Sequence, residues 1–492
     1  MSQRINEVKT YVSLPRLMIA GVRPGDGQNT VYQAVLAALV RRKTPVQVWI
    51  AGPDSTWSAL HNHIAGGAAR TLDSWLLSAD MMRYLLQRHG GSPRISLIQA
   101  PGGLFDGLPQ GYARAPLGSA VELAEELDVP VVLALDGRQL SFDSVPLIQG
   151  IQRYVSEDRL VGFIVANTVG EEFEQWSHLI SEASGIPCLG HLPQLENQGG
   201  ADYLAENGQM IWDARSWIGD FDRETTRLAD QADQYIDLKS LLGLAADAEP
   251  TVMSAPPYFM KLMAEMGHNE PFRLGVAQDV AFHDYNQNNL DLLVDMGARL
   301  IRFSPMRDRM LPPDLDGLYF GGGHPEAVGE ELSENAPLRT RINRAVREGV
   351  PLLAEAEGIF YLGRRLESVA TGFHPMLGLI PGDGVLLRRP PALSYCEMIS
   401  LSSGLLGPYG ASIRAVSGNR IRLTEEGGSF RVRFSASETR TGGYMSSTVC
   451  AVESKLFFHS NPDFAAAFSK ACSAHAAARL SDGTKSLDIW PV

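Results

Sequence analysis

The chain has 492 residues, 45% of them hydrophobic and 20% charged, which allows roughly three domains or two large α/β units and excludes a mostly disordered polypeptide. With 43 Lys and Arg against 56 Asp and Glu the formal net charge is −13, and an acidic surface of that size argues against nucleic-acid and anionic-membrane partners. Cys188, Cys396, Cys450 and Cys472 lie far apart with no CxxC pair, so neither a disulfide framework nor a zinc knuckle is expected. The N-terminal text has no apolar stretch behind its charges, and no run approaches about 18 apolar residues. A cytoplasmic, non-membrane protein is expected.

Short apolar runs at Arg16 to Ala20, Val46 to Ala51, Ile95 to Ala100, Val129 to Leu135 and Leu160 to Asn167 alternate with amphipathic text. This spacing predicts a parallel sheet with crossover helices. The helix from Val31 to Arg42 places Val31, Val35, Ala38 and Leu39 on one face, and its basic end, Arg41 to Lys43, reads as a solvated terminus. His61 and His63, downstream of Asp54, have loose metal-ligand spacing, but with no third ligand nearby they read as a polar helix face.

Around Leu244 to Tyr258 the text turns Ala- and Pro-rich without periodicity, which predicts a linker. A second α/β unit follows, with strands at Arg273 to Ala277, Ala298 to Phe303, Gly317 to Phe320 and Val350 to Ala354 and helices at Asn289 to Met296 and Leu338 to Glu348. A β-like tail, including Ile421 to Leu423 and Phe430 to Phe434, precedes a closing Ala-rich helix from Asp463 to Leu480. The expected organisation is an N-terminal extension (1–13), a P-loop-like parallel-sheet domain (14–243), a linker (244–270) and a second α/β domain (271–492).

The segment GVRPGDGQNT, residues 21–30, has the placement and length of a phosphate-binding P-loop between strand and helix. Backbone N–H groups of such a loop cradle phosphates, a Lys reaches the β- and γ-phosphates, and a hydroxyl binds Mg²⁺. Here those two positions are Gln28 and Asn29. Asp26 adds an anion, and a unit charge about 5 Å from a phosphate charge costs roughly 3 kcal/mol at an effective dielectric near 20. Arg23 and Thr30 offer partial compensation; triphosphate binding is nevertheless disfavoured, and a ligand-free Gly-rich turn through Gly21, Gly25 and Gly27 is expected.

These residues, with GPD at 52–54, LDSWLL at 72–77, GLFDG at 103–107, DVAF at 279–282, LYFGGGHPE at 318–326, MLG at 376–378 and SNP at 460–462, resemble the cobyrinic acid a,c-diamide synthases over nearly the whole chain. These are ATP- and glutamine-dependent amidotransferases of cobalamin biosynthesis. The resemblance implies an N-terminal synthetase domain that activates corrinoid carboxylates with ATP and Mg²⁺, and a class I glutamine amidotransferase domain that supplies ammonia. It also aligns Gln99 with an acidic residue of the family and Ile50 with a lysine. Asp54, Asp73 and Asp106 are retained and read as turn and cap residues.

Class I glutaminases release ammonia with a Cys-His-Glu triad whose thiolate sits on a strand-to-helix elbow. Where the family reads AECGG, this chain reads AEAEG at 354–358, so the nucleophile position is Ala356 and the next glycine is Glu357, a carboxylate that would crowd an oxyanion. The Gly321, Gly322, Gly323 turn, resembling the family's oxyanion-side loop, is present. Aligned back from Ser460, Lys455 stands at the base position and Phe457 at the second His. His459 reads as a surface or end-of-strand residue, and Cys396 and Cys450, off any elbow, as small buried hydrophobes.

The expected protein is a catalytically degenerate homologue, neither glutaminase nor ATPase, with no metal and no confident cofactor. It would act as scaffold, carrier or regulator on a tetrapyrrole or corrinoid, as a homo-oligomer or with a pathway enzyme. The rival is a divergent amide ligase that keeps ATP and Mg²⁺ and takes ammonia from another source.

Overall fold

In the computed structural model the described residues are 11–53, 56–91, 94–108, 115–156, 158–170, 172–194, 217–252, 255–389, 391–435 and 437–481. They form two compact units, Met1–Pro256 and Pro257–Val492.

The first unit is built on a seven-stranded parallel sheet. Its strands are β1 (Arg16–Gly21), β2 (Val46–Ala51), β3 (Arg70–Leu72), β4 (Ile95–Gly103), β5 (Val131–Asp136), β6 (Leu160–Thr168) and β7 (Cys188–Pro193), in the order β3-β2-β4-β1-β5-β6-β7. The helices are α1 (Gln28–Arg41), α2 (Thr56–Ala65), α3 (Ala79–Gly90), α4 (Ala120–Glu126), α5 (Ser144–Tyr154), α6 (Glu172–Ser184), α7 (Trp217–Tyr235) and α8 (Leu238–Ala246). Strands of a parallel sheet covered on both faces read as unbroken apolar runs, and β1 and β5 are buried at every residue. Arg16 belongs to that core: its guanidinium donates to the carbonyls of Leu14, Leu127, Asp128 and Glu249, and burial brings its pKa down to about 10.

The anticipated face of α1 is buried, but so are Tyr32, Ala34, Leu36 and Ala37. The cause is α7, which packs on the other side of the helix and also engages the basic end: Arg41 pairs with Asp230 and Asp233, and Arg42 with Asp233 at 2.6 Å. That terminus is therefore an ion-pair seam rather than a purely solvated end. His61 departs from the expected polar face as well. It is fully buried, with its ring 4.7 Å from that of Tyr32, and burial takes its pKa down to about 3, so the imidazole is neutral. His63 does face outward and meets Asp222 at 2.7 Å. Asp54 lies outside the described residues.

The stretch expected as a linker holds the end of α8, a two-residue strand (Thr251–Val252) paired with Tyr11–Val12, and helix α9 (Pro257–Met266). In the second unit β8 (Phe272–Ala277), β9 (Ala298–Phe303), β10 (Gly317–Phe320), β11 (Leu352–Ala354), β12 (Tyr444–Met445) and β13 (Val449–Ala451) form one sheet in the order β9-β8-β10-β11-β13-β12, parallel except for β12. Helices α10 (Gln287–Asp295), α11 (Ala336–Arg347), α12 (Gly358–Leu362) and α13 (Asp463–Ser481) belong to this unit. The β-like tail forms two smaller sheets. One, antiparallel, contains Ser394–Ser400, Ser412–Ser417 and Phe430–Arg433; the other, mixed, contains Arg365–Ser368, Asp383–Leu386 and Ile421–Leu423. Among the described residues no helix is long and apolar enough to cross a membrane.

Candidate functional site

In the first unit the loop after β1 delivers Gln28 and Asn29 to the end of β4. Gly25 and Gly27 hold positive φ, +90° and +80°, and a Cβ at Gly27 would lie 2.5 Å from that of Ala166. The glycine there is a steric requirement. Asn29 accepts from the Gln99 amide at 2.7 Å, and Gln28 donates to the Gly102 carbonyl at 3.1 Å. Three of the anticipated positions thus meet, as neutral amides bonded to their surroundings. Asp26 is buried and accepts from the Arg23 backbone N–H at 2.8 Å, so a carboxylate caps a loop donor. Burial, with help from the nearby Asp136 charge, raises its pKa. Asp106 caps the Gly103 N–H at 2.7 Å, and Asp73 accepts from the N–H groups of Trp75 and Leu76; both make the turn and cap bonds read from sequence. Beside the loop a cleft of about 370 Å³ is lined by Arg23, Asp26, Asp136, Ser141 and Asp143 over an apolar floor.

The elbow of the second unit is formed. Chain leaves β11 through Glu355, turns at Ala356 with φ +49°, and enters α12. An alanine in that region costs on the order of 1 kcal/mol, and the turn is kept although its side chain is a methyl group. A Cβ at Gly358 would lie 2.5 Å from the Phe320 carbonyl, which is why a glycine follows the turn. Glu355 is fully buried and accepts from Tyr319 Oη at 2.5 Å and from the Leu456 N–H at 2.6 Å. Burial raises its pKa to about 7.

The oxyanion-side glycines are in place, but each N–H is already bonded. Gly321 donates to Tyr285 Oη at 3.0 Å, Gly322 to the Asp284 carbonyl at 3.1 Å, and Gly323 to Glu357 Oε2 at 3.2 Å. The Glu357 carboxylate therefore occupies a donor rather than merely crowding the site. Burial, then the charges of Glu326 and Asp284, push its pKa up to about 7. At the anticipated base position Lys455 is buried, with its ammonium 2.6 Å from Asp284.

Sequence reasoning passed over the remaining polar neighbours. His324 meets Glu326 at 3.2 Å, its ring lies 5.4 Å from that of His283, and Arg420 reaches it at 3.2 Å. Their proximity to the elbow comes from the β8–α10 and β10 loops converging, so only the adjacency of DVAFHDY to the GGGHPE loop across the β8–β10 pairing could have signalled it. His459 is at the end of a strand, as expected, but buried rather than at the surface: it follows Lys455–Leu456 in a short turn, and its ring packs against Phe259. Cys396 and Cys450 are fully buried, and burial raises both thiols, so neither offers a thiolate. Among the described residues no group of three His, Cys, Asp or Glu side chains is arranged to hold a metal.

A parallel sheet whose strand-to-helix elbow faces a triple-glycine turn places the second unit among the class I glutamine amidotransferase-like α/β domains, and residues 273–398 match the CobB/CobQ-like glutamine amidotransferase domain. The chain is 31% identical over 401 residues to the cobyrinate a,c-diamide synthase of Listeria innocua, covering 81% of this chain and 85% of that protein. The synthase of Listeria monocytogenes serotype 4b is 32% identical with the same coverage, and that of Dehalococcoides mccartyi strain CBDB1 is 30% identical over 82% of this chain and 85% of its own length. The chain belongs to the cobyrinate a,c-diamide synthase family. Among solved structures, a glutamine amidotransferase aligns over 40% of this chain and 98% of its own length at 16% identity, with a TM-score of 0.28.

Proposed function

We propose that this family member carries neither the glutaminase nor the ATP-dependent half of the reaction and serves as a scaffold, carrier or regulator whose ligand is a tetrapyrrole of the cobyrinate kind. The observation that carries this reading is the elbow. A methyl group stands at the nucleophile position, the Glu357 carboxylate holds the Gly323 donor, and the group at the base position is an ammonium bonded to Asp284. An ammonium has no lone pair with which to take a proton, and no side chain at the turn can attack an amide carbon.

The residues at the phosphate loop do not fit Mg-ATP. Asp26 caps an N–H of the loop, and Gln28, Asn29 and Gln99 bring no charge and no hydroxyl to where phosphates and Mg²⁺ would sit. No step is routed through the nucleotide. Loss of chemistry in both halves, on a scaffold that keeps its turns, points to work done by binding.

The test combines a glutamate-release assay, calorimetry with Mg-ATP and an absorbance titration with cobyrinate. Neither glutamate release nor micromolar ATP binding is expected, and the corrinoid spectrum should shift. Glutamate release abolished by a thiol-blocking reagent would overturn the elbow argument. Tight Mg-ATP binding with ammonia-dependent ADP release would establish instead an amide ligase fed by free ammonia.

A further inference from the structure

The cleft beside the phosphate loop lies within the first unit and presents charges of both signs above apolar surface. Arg23 and Asp26 enter it from the β1–α1 loop, and Ser141, Asp143 and Leu147 from the start of α5. Among the described residues the Arg23 guanidinium, the Ser141 hydroxyl and the Asp143 carboxylate have no hydrogen-bond partner. Asp143 holds the N-cap position of α5 yet does not cap it, so its acceptors remain available. Asp26 is 8% exposed, and the rise that burial gives its pKa marks a carboxylate short of countercharge. Asp136 differs from both, because Arg138 donates to its two oxygens at 3.0 and 2.6 Å and matches its charge.

The floor is apolar. Leu135 and Ile148 are buried, whereas Leu147 is 38% exposed and offers surface that a ligand would take out of water. The volume of about 370 Å³ lies near the lower end of the about 300–1,000 Å³ typical of small-molecule clefts, which suits a ligand of amino-acid size and not a tetrapyrrole macrocycle. Charge narrows the class further. A plain cation would meet the Arg23 guanidinium, and a plain anion would meet the Asp26 and Asp143 carboxylates; a zwitterion satisfies both signs.

We propose that this cleft binds a free α-amino acid with an apolar side chain, a ligand separate from the tetrapyrrole and independent of the elbow. Its α-carboxylate takes the forked donors of Arg23, and its α-ammonium lies between Asp26 and Asp143. The Ser141 hydroxyl adds a hydrogen bond, and the ligand side chain covers Leu135, Leu147 and Ile148. The same carboxylate that disfavours a phosphate on the loop, Asp26, here favours an ammonium. Unsatisfied polar groups converging over an apolar wall are what such a site requires, the polar groups fixing orientation and the wall supplying burial.

The experiment is calorimetry on the full chain with L-leucine, L-methionine and L-phenylalanine, each titrated to about 10 mM. At least one should bind with a Kd below about 1 mM. Isopentylamine, which is leucine without its carboxylate, and isocaproate, which is leucine without its amine, should each bind at least about tenfold more weakly than leucine. Glycine, which has no side chain for the floor, should do the same. Arg23→Gln and Asp143→Asn each remove one charge from an exposed position. Both should leave the circular dichroism and the melting temperature of the unliganded protein unchanged, and each should weaken amino-acid binding about tenfold or more. No binding by any of the three amino acids, an amine or acid analogue as tight as leucine, or an affinity indifferent to either substitution would each overturn the proposal.

Discussion

Restoring the missing thiol should not restore the glutaminase. Ala356→Cys adds no new backbone strain, because alanine already holds φ +49° at that turn, so the variant should fold. Its thiol would stand among the carboxyls of Glu355, Glu357 and Asp284, with Lys455 as the neighbouring cation, already bonded to Asp284 at 2.6 Å. Net negative surroundings and burial lift a thiol above its ordinary value near 8.5, which leaves little thiolate at pH 7. A positioned acid–base group is worth about 10² to 10⁴ in rate, and Lys455 supplies none. One oxyanion donor is worth about 10² to 10³, and the Gly323 donor is held by Glu357. Together the deficits reach about 10⁴ to 10⁷. Ala356→Cys alone should therefore release no glutamate above background, and its rate of alkylation by iodoacetamide should rise with pH through a midpoint above about 8.5. Ala356→Cys with Glu357→Gly and Lys455→His is the smallest set expected to turn over. Robust hydrolysis by the single variant, or an alkylation midpoint near 6, would show that another residue acts as base and that Lys455 does not mark its position.

Three further outcomes follow from burial and backbone geometry. Glu355 and Glu357 both have folded pKa values raised from 4.5 to about 7. They bind protons more tightly folded than unfolded, so their stabilising effect is complete below pH 4.5 and is lost as pH rises through 7. Thermal melts should fall from pH 5.5 to 8, with Glu355 contributing on the order of 2 kcal/mol; a flat profile, or one unchanged by Glu355→Gln with Glu357→Gln, would contradict this. Gly27→Ala drives a Cβ to 2.5 Å from Ala166 at φ +80° and should cost about 2 to 4 kcal/mol in urea unfolding; a loss under about 1 kcal/mol would refute the packing. Arg16→Met leaves the carbonyls of Leu14, Leu127, Asp128 and Glu249 without their donor and should destabilise by about 3 kcal/mol, whereas a neutral result would mean those carbonyls find other donors.

What the sequence determined by itself was whatever is written in adjacent residues. The run Val46–Ala51 was legible as a strand from the adjacent apolar residues Val48–Ala51, and Ala298–Phe303 and Gly317–Phe320 form strands at the positions read from sequence. The elbow at Ala356 was legible through the family resemblance of the adjacent residues AEAEG, and the absence of a thiol there is a fact of the sequence; the contact that requires glycine at 358, the Phe320 carbonyl, is supplied by the fold. Only tertiary structure decided which donors were taken. Lys455 meets Asp284 across 171 residues of chain, and Leu456 reaches Glu355 across 101; no local pattern encodes such distances. His61 reads as part of a polar helix face in a string of letters, yet it packs buried against Tyr32 of α1, and the four carbonyls that surround Arg16 come from elements far apart in the chain. The reason is physical: periodicity reports which face of an element is apolar, whereas the partner of a buried polar group is set by elements that meet only after the chain has folded.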